Sequence, residues 1–238
     1  MYHLDPDILE VLEKRPLMNL AVLGFFENYK LDKYYKKENS LILLGSSDYI
    51  WAYMSVENEA DLLDLLRSLS YETLYFANVE DWMLPFLTKE KRIEWRLITE
   101  RYYIPVDKEV VAPTIVCKPV KQEMSAYIYN NSLYKDFTSE EYIFDRLGKD
   151  ISAGYWVDNK LVGWALTHDD GSLGFLNIIQ EHRGKGIGEN LLRQLVLDRI
   201  RHNRPAFLNV EPQNSQTKKM LNKIGFEFDR KVSWIKLA

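Results

Sequence analysis

Two patterns of apolar residues follow each other in the second half of the chain. Residues 173–179 form a short apolar run with a phenylalanine and paired isoleucines, which predicts a β-strand. From residue 187 onward apolar residues recur at spacings of three and four, which predicts a helix. The segment that joins them, residues 183–188, reads Arg-Gly-Lys-Gly-Ile-Gly. The sequence therefore predicts a strand, a glycine-rich turn and a helix in direct succession.

This turn has the features of an anion-binding site. Gly184, Gly186 and Gly188 let the backbone approach a ligand without an intervening Cβ. The helix adds unpaired N–H groups and a partial positive charge, and Arg183 and Lys185 add full charges. The spacing G-x-G-x-G is not the G-x-G-x-x-G of a Rossmann turn, and no Gly-Lys-Ser/Thr follows as in a Walker loop. A pyrophosphate fits this turn, and a structural turn without a ligand is the alternative.

At these residues the chain resembles a known family. Arg183, Gly186 and Gly188 fill the pattern Arg/Gln-x-x-Gly-x-Gly/Ala, which is the acyl-CoA-binding motif of the GCN5-related N-acetyltransferases, or GNAT proteins. The resemblance covers the stretch from Pro113 to Ala238. It is supported by a second motif further along the chain.

The second motif belongs to the end of the same family's domain. Many members carry Asn-x-x-Ala-x-x-Leu-Tyr-x-x-x-Gly-Phe, and Asn214, Gly225 and Phe226 match this pattern at the right spacing. The tyrosine position holds Leu221, which has no proton to donate to a leaving thiolate. This departure bears on catalysis and not on the binding of CoA.

The resemblance implies a fold, a cofactor and a set of binding residues. The fold class is α/β (α+β), a GNAT fold with a mixed central sheet flanked by helices. Acetyl-CoA is the implied co-substrate, with its pyrophosphate on the glycine-rich turn, and a backbone N–H near Ile178 or Ile179 polarises the thioester carbonyl. No metal is expected. The residues expected to bind the cofactor are Ile178, Ile179, Arg183, Gly184, Lys185, Gly186, Ile187, Gly188, Asn214 and Lys218.

The first half of the chain echoes the order of elements in the second. Its apolar pattern predicts a helix, a hairpin, a helix, a strand, a helix and a strand, but the turn after the hairpin, residues 56–59, is acidic and would repel a pyrophosphate. We expect two tandem GNAT-like halves, with residues 1–110 a degenerate copy and residues 113–238 the acetyltransferase domain. FR47-like and glycine N-acyltransferase-like proteins are similar in this respect. An unrelated α+β cap is the alternative for the first half.

Three local expectations concern the second half. Apolar residues in the segment 115–120 predict its first strand, and residues 226–230 and 233–237 predict its last two strands. Ser139 before Glu140 and Glu141 predicts the start of a helix, because serine caps helices and acidic residues suit their first turn.

Several polar residues are candidates for the chemistry of acyl transfer. His168, Asn177 and Glu181 are candidate catalytic groups for deprotonating the amine, Asn177 through a water, and Glu211 is a further candidate. A solvated histidine, a satisfied polar residue in the cleft and a surface acid are the respective alternatives for the first three. The resemblance implies that the loop around Tyr129 and Tyr134 lines the acceptor site.

Composition and charge limit the class of protein. The 238 residues carry a net charge of −4 with no basic stripe, so no nucleic-acid partner is expected. No apolar run approaches the length of a membrane span, and the start lacks the regions of a signal peptide, so we expect no membrane partner and a cytoplasmic location. Whether the protein is a monomer or a homodimer stays open.

Two functions fit these observations. The first is an N-acetyltransferase that transfers an acetyl or acyl group from acetyl-CoA to a primary amine of a small molecule or amino acid, by direct attack in a ternary complex. The second is an acyl-CoA-binding module or sensor with the same fold and little activity. The glycine-rich turn is neutral between them, Leu221 favours the second slightly, and we favour the enzyme.

Overall fold

The computed structural model describes residues 2–69, 72–132 and 135–238. The described helices are α1 (Pro6–Glu13), α2 (Leu20–Asn28), α3 (Glu59–Ser68), α4 (Leu84–Leu87), α5 (Ser125–Asn130), α6 (Glu140–Lys149), α7 (Ile187–Arg201) and α8 (Ser215–Ile224). Within these ranges no helix is both long and apolar enough to cross a bilayer.

The strands complete a mixed α/β architecture, as the sequence predicted. They are β1 (Lys33–Lys37), β2 (Ser40–Ser46), β3 (Ile50–Ser55), β4 (Tyr75–Val79), β5 (Ile93–Tyr103), β6 (Ser152–Val157), β7 (Lys160–Thr167), β8 (Leu173–Ile178), β9 (Phe207–Val210) and β10 (Glu227–Leu237). The order of two helices, three strands, a helix, a strand, a helix and a strand occurs twice, from α1 to β5 and from α5 to β10. The two halves of the sequence thus share one order of elements.

By their contacts the residues form two compact units. Unit 1 contains residues 1–101, 210–213 and 229–238, and unit 2 contains residues 102–209 and 214–228. The last strand of the second half of the sequence, β10, therefore lies mostly in unit 1. The division into functional domains at residues 110–113 stays a prediction.

In unit 1 the strands lie in the order β1-β2-β3-β4-β10-β5. The β1–β2 and β2–β3 pairs are antiparallel hairpins, and β10 runs antiparallel to β4. By contrast, β3 and β4 pair in parallel, with Trp51, Ala52 and Tyr53 opposite residues 75–77. Apolar side chains of α3, α4 and these strands form the core, including Leu62, Phe76 and Ile235, all fully buried or nearly so.

Unit 2 contains an antiparallel sheet in the order β6-β7-β8. A tight turn at Asp158 and Asn159 joins β6 to β7, and both residues have the positive φ that favours asparagine and aspartate in hairpin turns. On the side of α5 and α6 the sheet buries a cluster centred on Trp164, Ile128 and Ile143. Ser139 caps α6 as predicted, since its Oγ accepts the Tyr142 N–H at 3.0 Å.

A β-bulge interrupts β8. Trp164 of β7 lies opposite Asn177, whereas Leu166 lies opposite Gly174, so β8 has one more residue than β7 in this interval. Phe175, within the bulge, has a φ of 50°, a conformation that non-glycine residues seldom adopt. The bulge shifts which backbone groups of β8 face its neighbour and is a feature that sequence patterns did not reveal.

Three of the expected strands are corrected by the structure. In the segment 115–120 only an isolated bridge between Lys118 and Gly154 forms, because the residues on either side of it do not continue the ladder. The two expected final strands are one continuous strand, β10, since Lys231 and Val232 between them belong to the same strand and Val232 is buried. Each error comes from reading strand ends from local polarity alone.

Candidate functional site

The glycine-rich turn follows β8 through a short three-ten helix, Gln180–His182, and leads into α7. Gly184 and Gly186 both have a φ of +74°, a left-handed conformation that glycine adopts without the strain other residues would suffer. Gly186 is the residue that precedes the first turn of α7. The glycines therefore set the direction in which the chain enters the helix.

The start of α7 presents donors to an open space. The first helical hydrogen bond runs from the Asn190 N–H to the Gly186 carbonyl at 3.2 Å, so the N–H groups of residues 187–189 have no carbonyl partner within the helix. Among the described residues other than the chain neighbours, a Cβ built on Gly184 would meet no atom within 4 Å, and one on Gly186 would meet Asn190 Nδ2 alone, at 3.9 Å. The residues present thus leave room and donors for a pyrophosphate.

The two basic residues of the turn are exposed and lie beside these donors. Arg183 donates from Nε to the Ile178 carbonyl at 2.9 Å, which leaves its two terminal nitrogens directed elsewhere. Lys185 donates to the Glu181 carbonyl at 3.2 Å. Neither side chain forms an ion pair among the described residues, so both positive charges can act on an anion.

The backbone of β8 supplies a further donor. The Ile179 N–H is bonded to the Val162 carbonyl at 2.9 Å, so it is not free for a ligand. Successive N–H groups along a strand point to alternate sides. The N–H of Ile178, which lies opposite Gly163, therefore points away from β7. Strand β8 is the edge of its sheet, so this N–H faces the open side. Of the two residues, Ile178 has the suitable geometry.

The corresponding place in the first half is closed. There β3 is paired directly with β4, so no open strand edge remains beside the turn that leads into α3. Asn58 caps α3 by accepting the Asp61 N–H at 2.9 Å, and the Glu57 N–H donates to Ser40 Oγ at 3.0 Å. The buried Asp61 carboxylate also accepts the Ser40 hydroxyl at 2.7 Å. Internal partners and an acid thus occupy the place that an anion would need.

The three candidate catalytic residues do not lie together. His168 precedes β8 and its ring packs against Phe175, with 4.5 Å between ring centres, while Glu181 lies in the exposed turn beyond the other end of β8. A strand of this length spans roughly 17 Å. Only Asn177 lies on β8 itself, beside Ile178, and its Nδ2 donates to the Asn131 carbonyl at 3.1 Å.

His168 is held in its neutral form. Burial of the ring lowers its pKa to about 4, and the nearby positive charge of Arg146 acts in the same direction, against the opposing effect of Asp169. A Cβ built on Gly174 would lie only 2.2 Å from His168 Nε2, which shows how closely the ring meets the strand. Such an imidazole is a weak base at neutral pH.

We therefore predict that His168 titrates well below neutrality. In an NMR pH titration its imidazole signals, assigned by their loss in His168→Gln, should shift with a midpoint near 4, the pKa to which burial lowers it. Because the folded-state pKa lies below the unfolded value of about 6.5, its contribution to stability is complete above that pH and is lost as the pH falls towards 4. A midpoint at 6 or above would contradict this assignment.

The remaining predicted residues have defined local roles. Tyr129, on α5, packs against the core, and Lys135 Nζ lies 5.8 Å from its ring centre, while Tyr134 lies outside the described residues. Asn214 caps α8 by accepting the Thr217 N–H at 3.0 Å. Leu221 is fully buried, so the position that departs from the motif packs the core. Lys218 lies one turn into α8, half-buried.

The structure adds residues that the sequence reasoning missed. Asn190 Oδ1 accepts from both the backbone N–H and the hydroxyl of Thr114, at 2.6 and 3.2 Å, and so ties the first turn of α7 to a distant segment. Glu189 pairs with Arg193 and Lys223. The spacing of four between Glu189 and Arg193 was a readable signal, whereas Lys223 lies on another helix and gave none.

Comparison with known proteins gives one match of sequence and several of structure. The profile of the family described as FR47-like protein matches residues 154–235, which include β8, the glycine-rich turn, α7 and α8. No curated protein matches the sequence. The sequence match thus covers the part of the chain that holds the candidate site.

Three solved structures resemble almost the whole chain. A Drosophila protein matches with a TM-score of 0.81 and 14% identity, covering 98% of this chain and 95% of its own. A GCN5-related N-acetyltransferase from Kribbella flavida matches with a TM-score of 0.61 and 12% identity, over 93% and 94% of the two chains. A tandem GNAT protein from the clavulanic acid biosynthesis pathway matches with a TM-score of 0.55 and 15% identity, over 100% and 97%. At these identities the likeness establishes the fold.

Proposed function

We propose that this chain, which has the GNAT fold and FR47-like similarity over residues 154–235, is an N-acetyltransferase. It transfers an acetyl group from acetyl-CoA to a primary amine of a small molecule or amino acid, by direct attack in a ternary complex. The observation that carries the proposal is the open edge of β8 followed by the glycine-rich turn, with Gly184 and Gly186 at positive φ and free donors at the start of α7. The first half lacks this combination.

The proposed roles of the backbone N–H groups follow from the directions in which they point. The N–H groups of residues 184–189, with Arg183 and Lys185, hold the pyrophosphate. When bound, acetyl-CoA supplies a thioester carbonyl that an amine can attack. The Ile178 N–H, on the open side of β8, donates to that carbonyl oxygen and stabilises the negative charge that develops there.

The proposed handling of the amine centres on Asn177. Its Nδ2 is fixed by the Asn131 carbonyl, which orients Oδ1 as an acceptor for an amine proton or an intervening water. His168 and Glu181 lie at opposite ends of β8. A proton transfer between the amine and either residue would therefore run through water. Tyr129 and Tyr134 are the proposed contacts of the acceptor.

The proposal extends to domains and partners. Residues 113–238 are the proposed catalytic part and residues 1–110 a degenerate copy that binds no CoA. A small amine is the proposed partner, without nucleic acid or membrane, in the cytoplasm, and as a monomer or homodimer. Because β10 pairs with β4, the full chain is the proper material for experiments.

One observation favours a second function. Leu221, at the motif's tyrosine position, is fully buried and offers no acid for the leaving thiolate. The second candidate is therefore an acyl-CoA-binding module with little catalytic activity. A CoA thiol with a pKa of roughly 8.5, like that of cysteine, leaves readily without an acid, which is why the enzyme is preferred.

The test measures both binding and turnover on the full chain. Calorimetry with acetyl-CoA should give one molecule per chain, and thiol release should depend on the amine when a panel of amines and amino acids is offered. Binding without release on any amine would select the second candidate. Binding of two acetyl-CoA molecules per chain would refute the proposal that residues 1–110 bind no CoA. Absence of acetyl-CoA binding would refute both candidate functions.

A further inference from the structure

A carboxylate lies in the first turn of α7, where the proposed site needs positive charge. Glu189 is the third residue of the helix and follows Gly188 of the glycine-rich turn. The hydrogen bond from Lys223 is the largest cause that lowers its pKa, so the carboxyl carries a negative charge at neutral pH. Left alone, this charge would compete with a pyrophosphate for the same helix end.

Two cations occupy both oxygens of this carboxylate. Arg193, one turn further along α7, donates to Oε1 from Nε at 3.1 Å and from Nη2 at 2.9 Å. Lys223, in the last turn of α8, donates to Oε2 at 2.7 Å. We name Glu189, Arg193 and Lys223 the charge clamp. It carries two positive charges for one negative charge.

The members of the clamp differ in burial. The side chain of Arg193 is 10% exposed and that of Glu189 19%, whereas that of Lys223 is 68% exposed. Arg193 also donates to the Val111 carbonyl at 3.3 Å, so its position is fixed by several partners. Lys223 is therefore the member that can be changed with the least disturbance of packing.

We propose that Arg193 and Lys223 are positioning residues that neutralise Glu189 and so keep the first turn of α7 receptive to the pyrophosphate of CoA. The inference rests on the proposed function. Its physical basis is that charges on one helix turn lie well within a Debye length of about 8 Å, so a bare carboxylate there repels a diphosphate. When the Glu189 carboxylate is paired with two cations, the first turn of α7 keeps a net positive charge.

The test is a double-mutant cycle read by CoA calorimetry on the full chain. Lys223→Met should weaken CoA binding about three- to tenfold at low salt, and less at high salt, because the Glu189 carboxylate is then compensated by one cation only. Glu189→Gln should bind CoA as well as the wild type or better. In Glu189→Gln/Lys223→Met the affinity should return to within about twofold of Glu189→Gln.

The control is Lys160→Met, which removes one exposed lysine at the β6–β7 turn and changes the net charge equally. Thermal unfolding of each variant separates loss of the site from loss of the fold. The inference is overturned if Lys223→Met behaves as Lys160→Met. It is also overturned if Lys223→Met weakens binding equally with or without Glu189, because Lys223 then contacts CoA itself. Failure of the wild type to bind CoA would instead refute the proposed function and, with it, the inference.

Discussion

Replacement of Gly186 by glutamate should reduce the affinity for acetyl-CoA by about 100-fold or more. The substitution places a carboxylate beside the donors of α7, and two like charges about 4 Å apart repel by about 4 kcal/mol at an effective dielectric constant of 20. The positive φ of 74° also strains a residue with a Cβ by roughly 1–3 kcal/mol, but this cost is present with and without ligand and so lowers the stability of the fold and not the affinity. Calorimetry with acetyl-CoA on the folded variant measures the loss.

Two variants separate charge from strain. Gly186→Ala carries the same backbone strain without the charge, and its Cβ has room, since the nearest side-chain atom is 3.9 Å away. It should retain most of the affinity. Lys160→Glu places a negative charge on an exposed turn outside the site and should bind CoA normally. Unchanged affinity of folded Gly186→Glu would remove the pyrophosphate from this turn.

Replacement of Asp150 by asparagine should destabilise the protein by about 3–5 kcal/mol. The carboxylate is 1% exposed and faces Arg146, Arg199 and Arg204 at 3.4, 3.5 and 3.4 Å. The first two guanidinium groups are buried as well, and without the acid their charges lose a partner that water cannot replace. Denaturant-induced unfolding measures this loss of free energy.

The loss of stability bears on the candidate site because the same arginines donate hydrogen bonds to the turn that precedes β8. Arg146 donates to the Thr167 carbonyl and hydroxyl, and Arg199 donates to the Gly171 carbonyl. Asp145→Asn is the control, since its pair with Lys149 is 36–38% exposed and should be worth about 1 kcal/mol or less. If Asp150→Asn were as stable as this control, the buried network would not support the fold.

Local features of this protein could be predicted from the sequence because one residue type decides each of them. The turn at residues 183–188 and the cap at Ser139 were both predicted, and they follow from the residues themselves and their nearest neighbours. The periodicity of the apolar residues of α7 depends on a few turns of helix only. The fold class was predicted from the resemblance of the glycine-rich turn and of the second motif to GNAT proteins, and the structure and its neighbours confirm it.

The expected strands at 115–120 and 226–237 mark the limit of such local reasoning. An apolar run favours an extended chain, but a ladder forms only where a second strand lies at the right distance. At Lys118 this condition holds for one bridge alone, whereas Lys231 and Val232, between the two expected final strands, are part of β10. The sequence pattern thus indicated the final strand correctly but not its boundaries, and it overstated the strand character of residues 115–120.

Only the tertiary structure decided which strand edges are open. The strands β3 and β8 occupy the same place in the repeated order, yet β3 is paired with β4 while β8 ends its sheet. Every residue except proline offers the same backbone N–H and C=O groups, so composition alone does not specify the partner of a strand. Likewise, the distance from His168 to Glu181 and the meeting of Lys223 with Glu189 depend on how whole elements pack. The sequence by itself therefore determined the glycine-rich turn and its helix, and long-range pairing decided that the turn lies beside an open strand.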